Sequence, residues 1–302
     1  MMMKKIDFRP LGMEDKERVQ RYTLGSWRQN CDLSFANLFS WRFYYRTEIA
    51  EWGGFLLFRF NACHEQLAYM MPVGSGSLKP VVEAMMDDAR AAGAPFLMLG
   101  VCAATRAELE AEFPGQFEFQ LDRDYFDYIY LRTDLATLRG KKFQPKRNHI
   151  NRFKATYPHY EYQELTPTLV PECLRLENSW CQANDCAENQ ALQDERRSMT
   201  TALQHIDELD IRGGVLRVDG RMVAFTYGAP INADTFDTCV EKADTSIDGA
   251  YAMINYEFAN HLPDTFTYIN REEDLGLEGL RKAKLSYQPE VLLEKYIVTL
   301  RV

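Results

Sequence analysis

The sequence lacks any long apolar run. No window approaches the roughly 20 apolar residues that a helix needs to span a bilayer. The opening residues, MMMKKIDFRPLGMEDKERVQ, contain two lysines without the apolar stretch of a secretory signal peptide behind them. The sequence therefore predicts a cytoplasmic protein without stable insertion into a membrane.

Paired cysteines and histidines at metal-ligand spacing are also missing. The seven cysteines include no CxxC pair, and the most closely spaced two, Cys181 and Cys186, have no second pair with which to complete a zinc site. The histidines show no HExxH spacing, and no GxSxG motif or Cys–His signature occurs. These absences predict reduced thiols, no metal site and no covalent thiol catalysis, with Cys239 as a buried strand residue.

An excess of positive charge is the third absence. The 302 residues carry a net charge of −9, whereas a protein that coats nucleic acid or anionic lipid needs a basic surface. DNA is therefore not an expected partner, and the sequence does not indicate an oligomeric state. The length exceeds that of one ordinary core and favours two units of about 150 residues each.

What is present is an order of elements that occurs twice. In the first half, antiparallel strands from Gly53 to Val73 precede a helix from Leu78 and the strand PFLMLGV. In the second half, a hairpin through Asp219 and Gly220 precedes the strand TFDTCVEKA, the helix GAYAMINYEFANHL and the strand TFTYIN. Because strand, loop, helix and strand form a right-handed parallel crossover, the sequence predicts an α/β (α+β) fold of two units. Each has a mixed, mostly antiparallel sheet flanked by helices.

Further strands close each half. FEFQLDRDYFDYIYL predicts two strands around the turn DRD, and VLLEKYIVTLRV predicts one final strand. The predicted domains are residues 1–155 and 156–302. Ligands of such sheets bind beyond the carboxyl ends of the parallel strands, which in the second half are Glu241–Lys242 and Ile269–Asn270.

Three segments resemble one known family. DLSFANLFSWR (Asp32 to Arg42), KKFQPKRNHINRF (Lys141 to Phe153) and INREEDLGLEGLRKAKLSYQPE (Ile269 to Glu290) together resemble the phosphatidylglycerol lysyltransferase C-terminal-like family. The element order resembles the GNAT acyltransferase fold used twice, which implies two tandem GNAT-like domains. The related Fem-type aminoacyltransferases move an aminoacyl group from tRNA to an amine or a hydroxyl. The resemblance implies a small-molecule or tRNA-linked acyl donor, with either acyl-CoA or aminoacyl-tRNA as co-substrate, and the sequence requires no further cofactor.

Two glycine loops are candidates for donor binding. GNAT enzymes that use acyl-CoA carry glycines between strand and helix, where the pyrophosphate approaches backbone amides. The first half keeps two glycines, Gly74 and Gly76, whereas the second half keeps only Gly249. An ordinary strand-to-helix turn would use the same residues. CoA binding and a plain turn therefore both stay open, and the degenerate second loop also fits a donor other than CoA.

The segment from Lys141 to Lys154 concentrates positive charge in an acidic chain. Lys146, Arg147 and Asn148 lie near the start of its predicted helix. In one interpretation, long basic side chains cover the edges of a core while their charged ends stay in water. In the other, they bind donor phosphate or a tRNA 3′ end, together with Arg281.

Lys284 falls within an apolar stripe of a predicted helix. The residues of that stripe, which are predicted to face a core, are Leu277, Leu280, Ala283 and Tyr287. An ammonium there must reach water, pair with a carboxylate or lose its proton. We expect it within ion-pair reach of an acid at the neighbouring strand ends. The candidate acids are Glu241, Glu272, Glu273 and Asp274.

Two interpretations of this group stay open. It is a structural ion pair that holds the helix to the sheet, or it is catalytic. In the catalytic interpretation, carboxylates take a proton from an attacking amine, Lys284 stabilises negative charge on the acyl oxygen, and Tyr287 donates a proton to the leaving group. The predicted catalytic residues are Glu241, Asn270, Glu272, Glu273, Asp274, Lys284 and Tyr287.

The predicted activity is transfer of an acyl or aminoacyl group to an amine or hydroxyl acceptor. The first alternative is an acetyl-CoA-dependent N-acetyltransferase. The second, from another class, is a non-catalytic sensor of a small molecule or nucleotide. A close acid and lysine pair in a cleft would favour an enzyme over the sensor.

Overall fold

The computed structural model of this chain describes residues 5–62, 65–183 and 188–301. Within these ranges the chain forms two mixed β-sheets flanked by helices, which confirms the predicted α/β fold class. None of the helices in these ranges has both the length and the apolar character of a membrane span. The cytoplasmic location stays a prediction.

The strands and helices are short to medium in length. The strands are β1 (Arg9–Pro10), β2 (Glu48–Trp52), β3 (Phe55–Asn61), β4 (Leu67–Met70), β5 (Val73–Gly74), β6 (Leu97–Cys102), β7 (Phe117–Leu121), β8 (Asp127–Leu131), β9 (Glu161–Glu164), β10 (Arg212–Val218), β11 (Arg221–Pro230), β12 (Thr235–Ala243), β13 (Tyr268–Asn270), β14 (Val291–Leu293) and β15 (Lys295–Leu300). The α-helices are α1 (Lys16–Thr23), α2 (Phe35–Ser40), α3 (Arg42–Tyr45), α4 (Leu78–Ala91), α5 (Ala103–Glu112), α6 (Arg132–Thr137), α7 (Gln144–Thr156), α8 (Val170–Ala183), α9 (Gln190–Gln204), α10 (Ala250–His261) and α11 (Glu278–Leu285).

Each sheet contains one parallel pair joined by a helix. The first sheet has the order β1-β2-β3-β4-β6-β15-β7, with β5 beside β3, and the second has the order β14-β8-β13-β12-β11-β10-β9. Helix α4 connects the parallel strands β4 and β6, and α10 connects the parallel strands β12 and β13. Both predicted strand–loop–helix–strand units are therefore confirmed.

The chain crosses between the two sheets at two places. Strand β7 belongs to the first sheet but β8 to the second, and β14 belongs to the second sheet but β15 to the first. FEFQLDRDYFDYIYL forms the two predicted strands, β7 and β8, but they belong to different sheets, and VLLEKYIVTLRV forms two strands instead of the one predicted. Local periodicity predicts that strands form, but it does not identify their partners. We call the region where the two crossings meet the seam.

The sheets do not follow the predicted domain boundary. Residues 127–131 contribute a strand to the second sheet, and residues 295–300 lie inside the first sheet, between β6 and β7. The division between residues 155 and 156 stays a prediction about independent units. The exchange of strands shows that each sheet depends on chain from both halves.

Three apolar clusters form the core of the described residues. One lies between the first sheet and α4, and a second packs α7 and α10 against the second sheet. The third contains residues from both sheets, such as Phe58 of β3 and Phe225 of β11, together with Phe39 of α2 and Leu203 of α9. This shared cluster joins the two sheets through apolar contacts as well as through the exchanged strands.

The cysteines do not all agree with the expectation of reduced thiols. Cys31, Cys102, Cys173 and Cys239 are free, but Cys181 is disulfide-bonded. The prediction is therefore wrong at Cys181, because a sequence shows the spacing of cysteines but not the distances and directions that decide whether a bridge closes. Cys63 and Cys186 lie outside the described residues.

A buried residue of β15 tests the exchange of strands. Val298 is fully buried, whereas Leu300, two residues further on, is exposed. We expect Val298→Ala to lower the free energy of unfolding by about 2 kcal/mol, because it removes two buried methyl groups and leaves a cavity. Leu300→Ala, the matched control, should change it by less than about 0.5 kcal/mol. Urea unfolding followed by circular dichroism measures both, and equal effects would contradict the position of β15.

Candidate functional site

The seam brings together two residues that lie far apart in the sequence. Asp127 is the first residue of β8, and Lys295 is the first residue of β15. Leu293 of β14 pairs with Asp127, so the last crossing carries the chain directly past that carboxylate. The Nζ atom of Lys295 lies 2.8 Å from Oδ1 of Asp127. This ion pair joins a strand of the first sheet to a strand of the second.

Lys295 is the centre of a buried group of charges. Its Nζ also lies 2.6 Å from Oε1 of Glu273 and 2.8 Å from Oδ2 of Asp32, and it donates to Sγ of Cys31 at 3.5 Å. Burial alone would lower the pKa of Lys295, but the charges of Asp127 and Asp32 raise it well above its usual value. Lys295 is therefore an ammonium at any physiological pH. We call these five residues, Cys31, Asp32, Asp127, Glu273 and Lys295, the Lys295 cluster.

Two further acids lie beside the Lys295 cluster. Nδ2 of Asn37, on α2, donates to Oδ2 of Asp237 at 2.9 Å and to Oε1 of Glu272 at 2.8 Å. We call Asp237 and Glu272 the acid pair. Asn270 connects the two groups, because its Nδ2 donates to Asp127 at 2.9 Å and its Oδ1 accepts from the backbone N–H of Glu272 at 2.7 Å.

The carboxyl groups outnumber the cations near them, so they differ in protonation. Burial raises the pKa of Asp127 to about 6. Burial, followed by the charge of Glu273, raises the pKa of Glu272 to about 8, and burial with Glu272 raises the pKa of Asp237 well above its usual value. Glu273 is the exception, because Lys295 outweighs its burial and lowers its pKa. The site therefore holds protons on carboxyl groups near neutral pH.

Two sets of these side chains have the spacing of metal ligands. In each of the two, a carboxylate or thiol atom from every residue lies within 4.8 Å of the others; the sets are Cys31, Asp127 and Glu273, and Asp237, Cys239 and Glu272. The Lys295 ammonium already lies against the first set, and the Asn37 amide donates to both carboxylates of the second. Burial also raises the pKa of both thiols well above the usual value, so neither is a ready thiolate ligand. These donors fit protons and an ammonium better than a metal ion.

Lys284 is buried, as predicted, but its partners differ from the prediction. Its Nζ donates to the backbone carbonyl oxygens of Arg271 and Glu273. Among the described residues no carboxylate lies within 4.0 Å of this nitrogen, so the expected salt bridge is wrong. The reason is local: the chain leaves β13 after Asn270 and exposes carbonyls, and an ammonium can satisfy these as well as it can a carboxylate.

The predicted core-facing stripe of α11 is mostly wrong. Tyr287 is buried, but Leu277 and Leu280 are 60% and 37% exposed, and Ala283 is exposed too. The side chain of Lys284 faces the polar segment after β13. The backbone carbonyl of Lys284 also accepts a hydrogen bond from the Tyr130 hydroxyl at 2.8 Å. A stripe of helical period therefore faces solvent here because polar contacts decide how the helix is rotated.

Glu241 and Tyr287 lie together around the Arg271 side chain. Nε of Arg271 donates to Oε2 of Glu241 at 3.0 Å. The Lys146 ammonium lies 3.8 Å from the centroid of the Tyr287 ring, and the Arg271 guanidinium lies 5.0 Å from it. Burial and the charge of Arg271 lower the pKa of Lys146 to about 8. Lys146 of α7 is thus the basic residue of the linking segment that reaches the site.

Asp274 and Arg281 form a separate network. Arg281 donates to Asp274 and to Asp124, while Arg123 and the Tyr128 hydroxyl also donate to Asp274. Burial opposes ionisation of Asp274, but the bonds from Arg281 and Tyr128 hold its pKa well below the usual range. This network stabilises the turn before α11. The catalytic role of Asp274 and the donor role of Arg281 stay predictions without geometric support.

The other residues predicted to bind the acyl donor, Arg147 and Asn148, make hydrogen bonds within the protein. Arg147 donates to the backbone carbonyls of Leu138 and Gly140, and Asn148 is exposed and accepts from Gln144 at 2.8 Å. Arg147 therefore closes the turn before α7. A role in binding donor phosphate stays a prediction for both residues.

The glycine loops are explained by close packing. A Cβ atom at Gly74 would lie 2.4 Å from the carbonyl oxygen of Gly54, because β5 pairs with β3 there, and one at Gly76 would lie 3.3 Å from that of Gly53. Gly249 has φ 84° and precedes α10. The ring of Phe153 lies 3.4 Å from the position of its missing Cβ. Helix α7 thus packs against the start of α10, where a GNAT-type pyrophosphate would bind.

A pocket opens next to the Lys295 cluster. It lies where the parallel pairing of β4 with β6 ends, at Met70 of β4 and at Leu99 and Gly100 within β6. Asp32 belongs both to the lining of this pocket and to the Lys295 cluster. The pocket therefore lies at the parallel strands of the first sheet, whereas the sequence analysis predicted a ligand site at those of the second.

Comparison with known proteins identifies the family. Residues 26–299 match the family described as "Phosphatidylglycerol lysyltransferase, C-terminal". The chain belongs to this family. The resemblance to this family seen in the sequence is therefore confirmed.

Solved structures and a curated relative extend the comparison. The chain is 57% identical to a conserved protein of unknown function from Bacteroides thetaiotaomicron VPI-5482, with a TM-score of 0.96 over 98% of this chain and 100% of that one. It shares the fold of the C-terminal domain of a putative lysylphosphatidylglycerol synthetase from Agrobacterium fabrum, at 14% identity and a TM-score of 0.68 over 95% and 91% of the chains. An uncharacterised protein of Mycoplasmoides gallisepticum is 25% identical over 175 residues, which are 57% of this chain and 55% of that relative. The chain thus matches about half the length of that relative.

Sequence reasoning missed the residues at the centre of the site. Asp127 lies in one of the two strands predicted around the turn DRD, Lys295 lies in the predicted final strand, and Asp237 lies in a predicted strand two residues before Cys239. Asp32 and Asn37 belong to a segment that carried the family resemblance but received no role. A charged residue at a strand end beside an apolar run was the available signal.

The raised pKa of Glu272 predicts how stability depends on pH. A carboxyl group with a native pKa near 8 keeps a proton that the unfolded chain releases above about pH 4.3. The native state binds more protons in this window, so the free energy of unfolding falls as pH rises from 5 to 8, by at most about 1.4 kcal/mol per pH unit. Glu272→Gln should remove this part of the decrease, and Glu290→Gln, an exposed control, should keep it. Urea unfolding at several pH values decides, and an unchanged decrease in Glu272→Gln would contradict the buried proton.

Replacement of the two buried lysines by methionine separates their roles. Lys295→Met leaves three carboxylates without their cation, so we expect a loss of about 3–5 kcal/mol at pH 8 and a smaller loss at pH 5, where the carboxyl groups take up protons. Lys284→Met leaves two backbone carbonyls without a donor, at a cost of about 1–3 kcal/mol. Chemical denaturation measures both losses. A larger loss in Lys284→Met than in Lys295→Met would contradict the assignment of Lys295 as the central cation.

Proposed function

We propose that this protein transfers an acyl or aminoacyl group from a carrier to an amine or hydroxyl of an acceptor. The family to which the chain belongs carries the name of such a transferase. The observation that carries the proposal is the contact between the pocket and the Lys295 cluster through Asp32. A non-catalytic sensor does not need buried carboxyl groups that hold protons near neutral pH beside its ligand pocket.

The reaction requires a proton acceptor beside the nucleophile. When an acceptor amine attacks the acyl carbon, a C–N bond forms, the ester or thioester bond breaks, and the amine must lose a proton. We assign the removal of this proton to Asp32, since its carboxylate lines the pocket. The Lys295 ammonium contacts both Asp32 and Asp127, so it steadies the charge of the base and links it to the inner carboxyl groups.

The leaving group needs a proton in return. Burial raises the pKa of Tyr287 to about 12, so its phenol is a donor at neutral pH. Tyr287 lies beside Lys146 and Arg271, whose positive charges would stabilise a departing oxyanion. Lys284 is less suited to bind the acyl oxygen, because two backbone carbonyls already accept from its ammonium.

Aminoacyl-tRNA fits the donor side better than acyl-CoA. Helix α7 packs against Gly249 at the start of α10, and Arg152 of α7 lies 2.6 Å from Asp248. Because this helix covers the position where a CoA pyrophosphate binds in a GNAT enzyme, we propose that the donor approaches along α7 instead. Lys146 is half-buried, and among the described residues it forms no salt bridge, so its charge is available for phosphate.

A transfer assay tests the proposed reaction. Purified protein is incubated with a labelled aminoacyl-tRNA pool, or with labelled acyl-CoA, and a mixture of small amines, and the label on the amines is measured. We expect transfer from aminoacyl-tRNA, and Asp32→Asn should lower its rate by about 100-fold or more, because it removes the base. Asp7→Asn, at an exposed position, is the matched control. Transfer from acyl-CoA alone would favour the N-acetyltransferase, and full activity of Asp32→Asn would contradict the assigned base.

The role of Lys146 in donor binding has a separate test. Lys146→Ala should weaken binding of aminoacyl-tRNA and reduce the slope of log K against log salt by about 1, because one phosphate contact is lost. Lys142 is exposed and pairs with Asp134, so Lys142→Ala should leave the slope unchanged. Filter binding at several salt concentrations gives the slopes. Equal slopes for wild-type protein and Lys146→Ala would remove Lys146 from the donor site.

A further inference from the structure

The pocket contains a buried arginine that lacks a carboxylate partner. Arg28 is 8% exposed, and its Nη1 donates to the backbone carbonyl of Met71 at 3.0 Å. Within the part of the chain that the structure describes, no carboxylate oxygen lies within 4.0 Å of its guanidinium. Arg271, in contrast, is paired with Glu241. Arg28 thus carries a charge into the protein without the counter-ion that a buried charge normally has.

The guanidinium is directed to the pocket. Arg28 lines the pocket together with Asn30, Asp32 and Gly100. Among the described residues, only the Nη1 atom of its guanidinium has a protein acceptor. Nε and Nη2 are therefore available to a ligand. Burial lowers the pKa of Arg28, with Glu108 of α5 acting in the opposite direction from beyond ion-pair distance, yet an arginine stays charged at physiological pH.

The position of Arg28 is held by the second half of the chain. Nδ2 of Asn232 donates to the backbone carbonyl of Arg28 at 2.9 Å, and Nδ2 of Asn270 donates to that of Gln29 at 2.7 Å. These two bonds fix the segment to the second sheet, and Nδ2 of Asn30 fixes it to the first by donating to the backbone carbonyl of Gly100 at 2.9 Å. A charged side chain held in this way is preorganised for a ligand, which lowers the entropic cost of binding.

We propose that this pocket binds a small ligand that carries an anionic carboxylate or phosphate group and an amine, with the anion on Arg28 and the amine towards Asp32. A guanidinium with two available nitrogens matches the two oxygens of such an anion. The half-exposed carboxylate of Asp32 lines the same pocket and complements an ammonium.

This inference deepens the proposed function and rests on it in one respect: the amine beside Asp32 is the acceptor nucleophile. The anion on Arg28 orients the acceptor, so that its amine lies next to the proposed base. Binding of such a ligand is independent of the donor and of transfer. The two proposals can therefore fail separately.

Calorimetric titration of the whole chain with simple probes tests the inference. The probes are glycine and serine for carboxylate with amine, phosphoethanolamine for phosphate with amine, ethanolamine for amine alone, and acetate and inorganic phosphate for anion alone. We expect binding of the probes that carry both groups, and weaker binding, by about tenfold or more, of the single-group probes. Comparison of the affinities for glycine and serine with the affinity for phosphoethanolamine shows whether the pocket prefers a carboxylate or a phosphate.

Variants of Arg28 connect the binding to this residue. Arg28→Met should weaken the binding of the probes with both groups by about tenfold or more. The unfolding temperature should fall slightly, because the backbone carbonyl of Met71 loses its donor. A purely structural arginine predicts lost stability with unchanged binding of the probes. Arg28→Lys keeps the charge without the planar group and should bind with intermediate affinity. Arg301→Met, at an exposed position, is the control.

Equal binding to wild type and Arg28→Met, or no binding of any probe to the wild type at millimolar concentration, would overturn the inference. Probe binding without any transfer activity would contradict the proposed transferase and leave this site standing. Transfer with an unchanged acceptor KM in Arg28→Met would remove this site and leave the transferase standing.

Discussion

The structure depends on one buried ammonium that several carboxylates share. Lys295 opens the strand that completes the first sheet, while Asp127 opens a strand of the second, and Glu273 follows another strand of the second sheet. The pair at 2.8 Å therefore ties together the two places where the chain changes sheet. Because removal of the ammonium would leave several buried carboxylates without a cation, the crossings and the charge cluster stabilise each other.

The same interaction sets the chemistry of the site. Burial, together with the charges of neighbouring acids, raises the pKa of Asp127 to about 6 and that of Glu272 to about 8, while Lys295 lowers the pKa of Glu273. Groups that exchange protons near neutral pH suit general acid–base catalysis. Asn37 and Asn270 hold these groups at fixed distances through amide donors. The carboxyl groups are thus held in fixed positions, while their protonation can change near neutral pH.

Much of the fold follows from local patterns in the sequence. The Asp219–Gly220 hairpin forms with both residues at positive φ, and both parallel units form around their predicted helices, because turn chemistry and periodicity act over short distances. The exchanged strands could not be predicted in this way, since β8 and β15 look like ordinary strands whose partners are set by long-range packing. The prediction that Lys284 is buried is confirmed. Lys295 is not predicted as a site residue because it lies inside the predicted final strand of the second half, and the sequence does not show that this strand passes Asp127.

Protons held by carboxyl groups at the seam near neutral pH can be observed directly by selective ¹³C labelling of aspartate and glutamate carboxyl groups, followed by an NMR titration. We expect carboxyl resonances that titrate near pH 6 and near pH 8, of which the first is lost in Asp127→Asn and the second in Glu272→Gln. Titration of every carboxyl resonance below about pH 5, as in ordinary exposed acids, would contradict the claim.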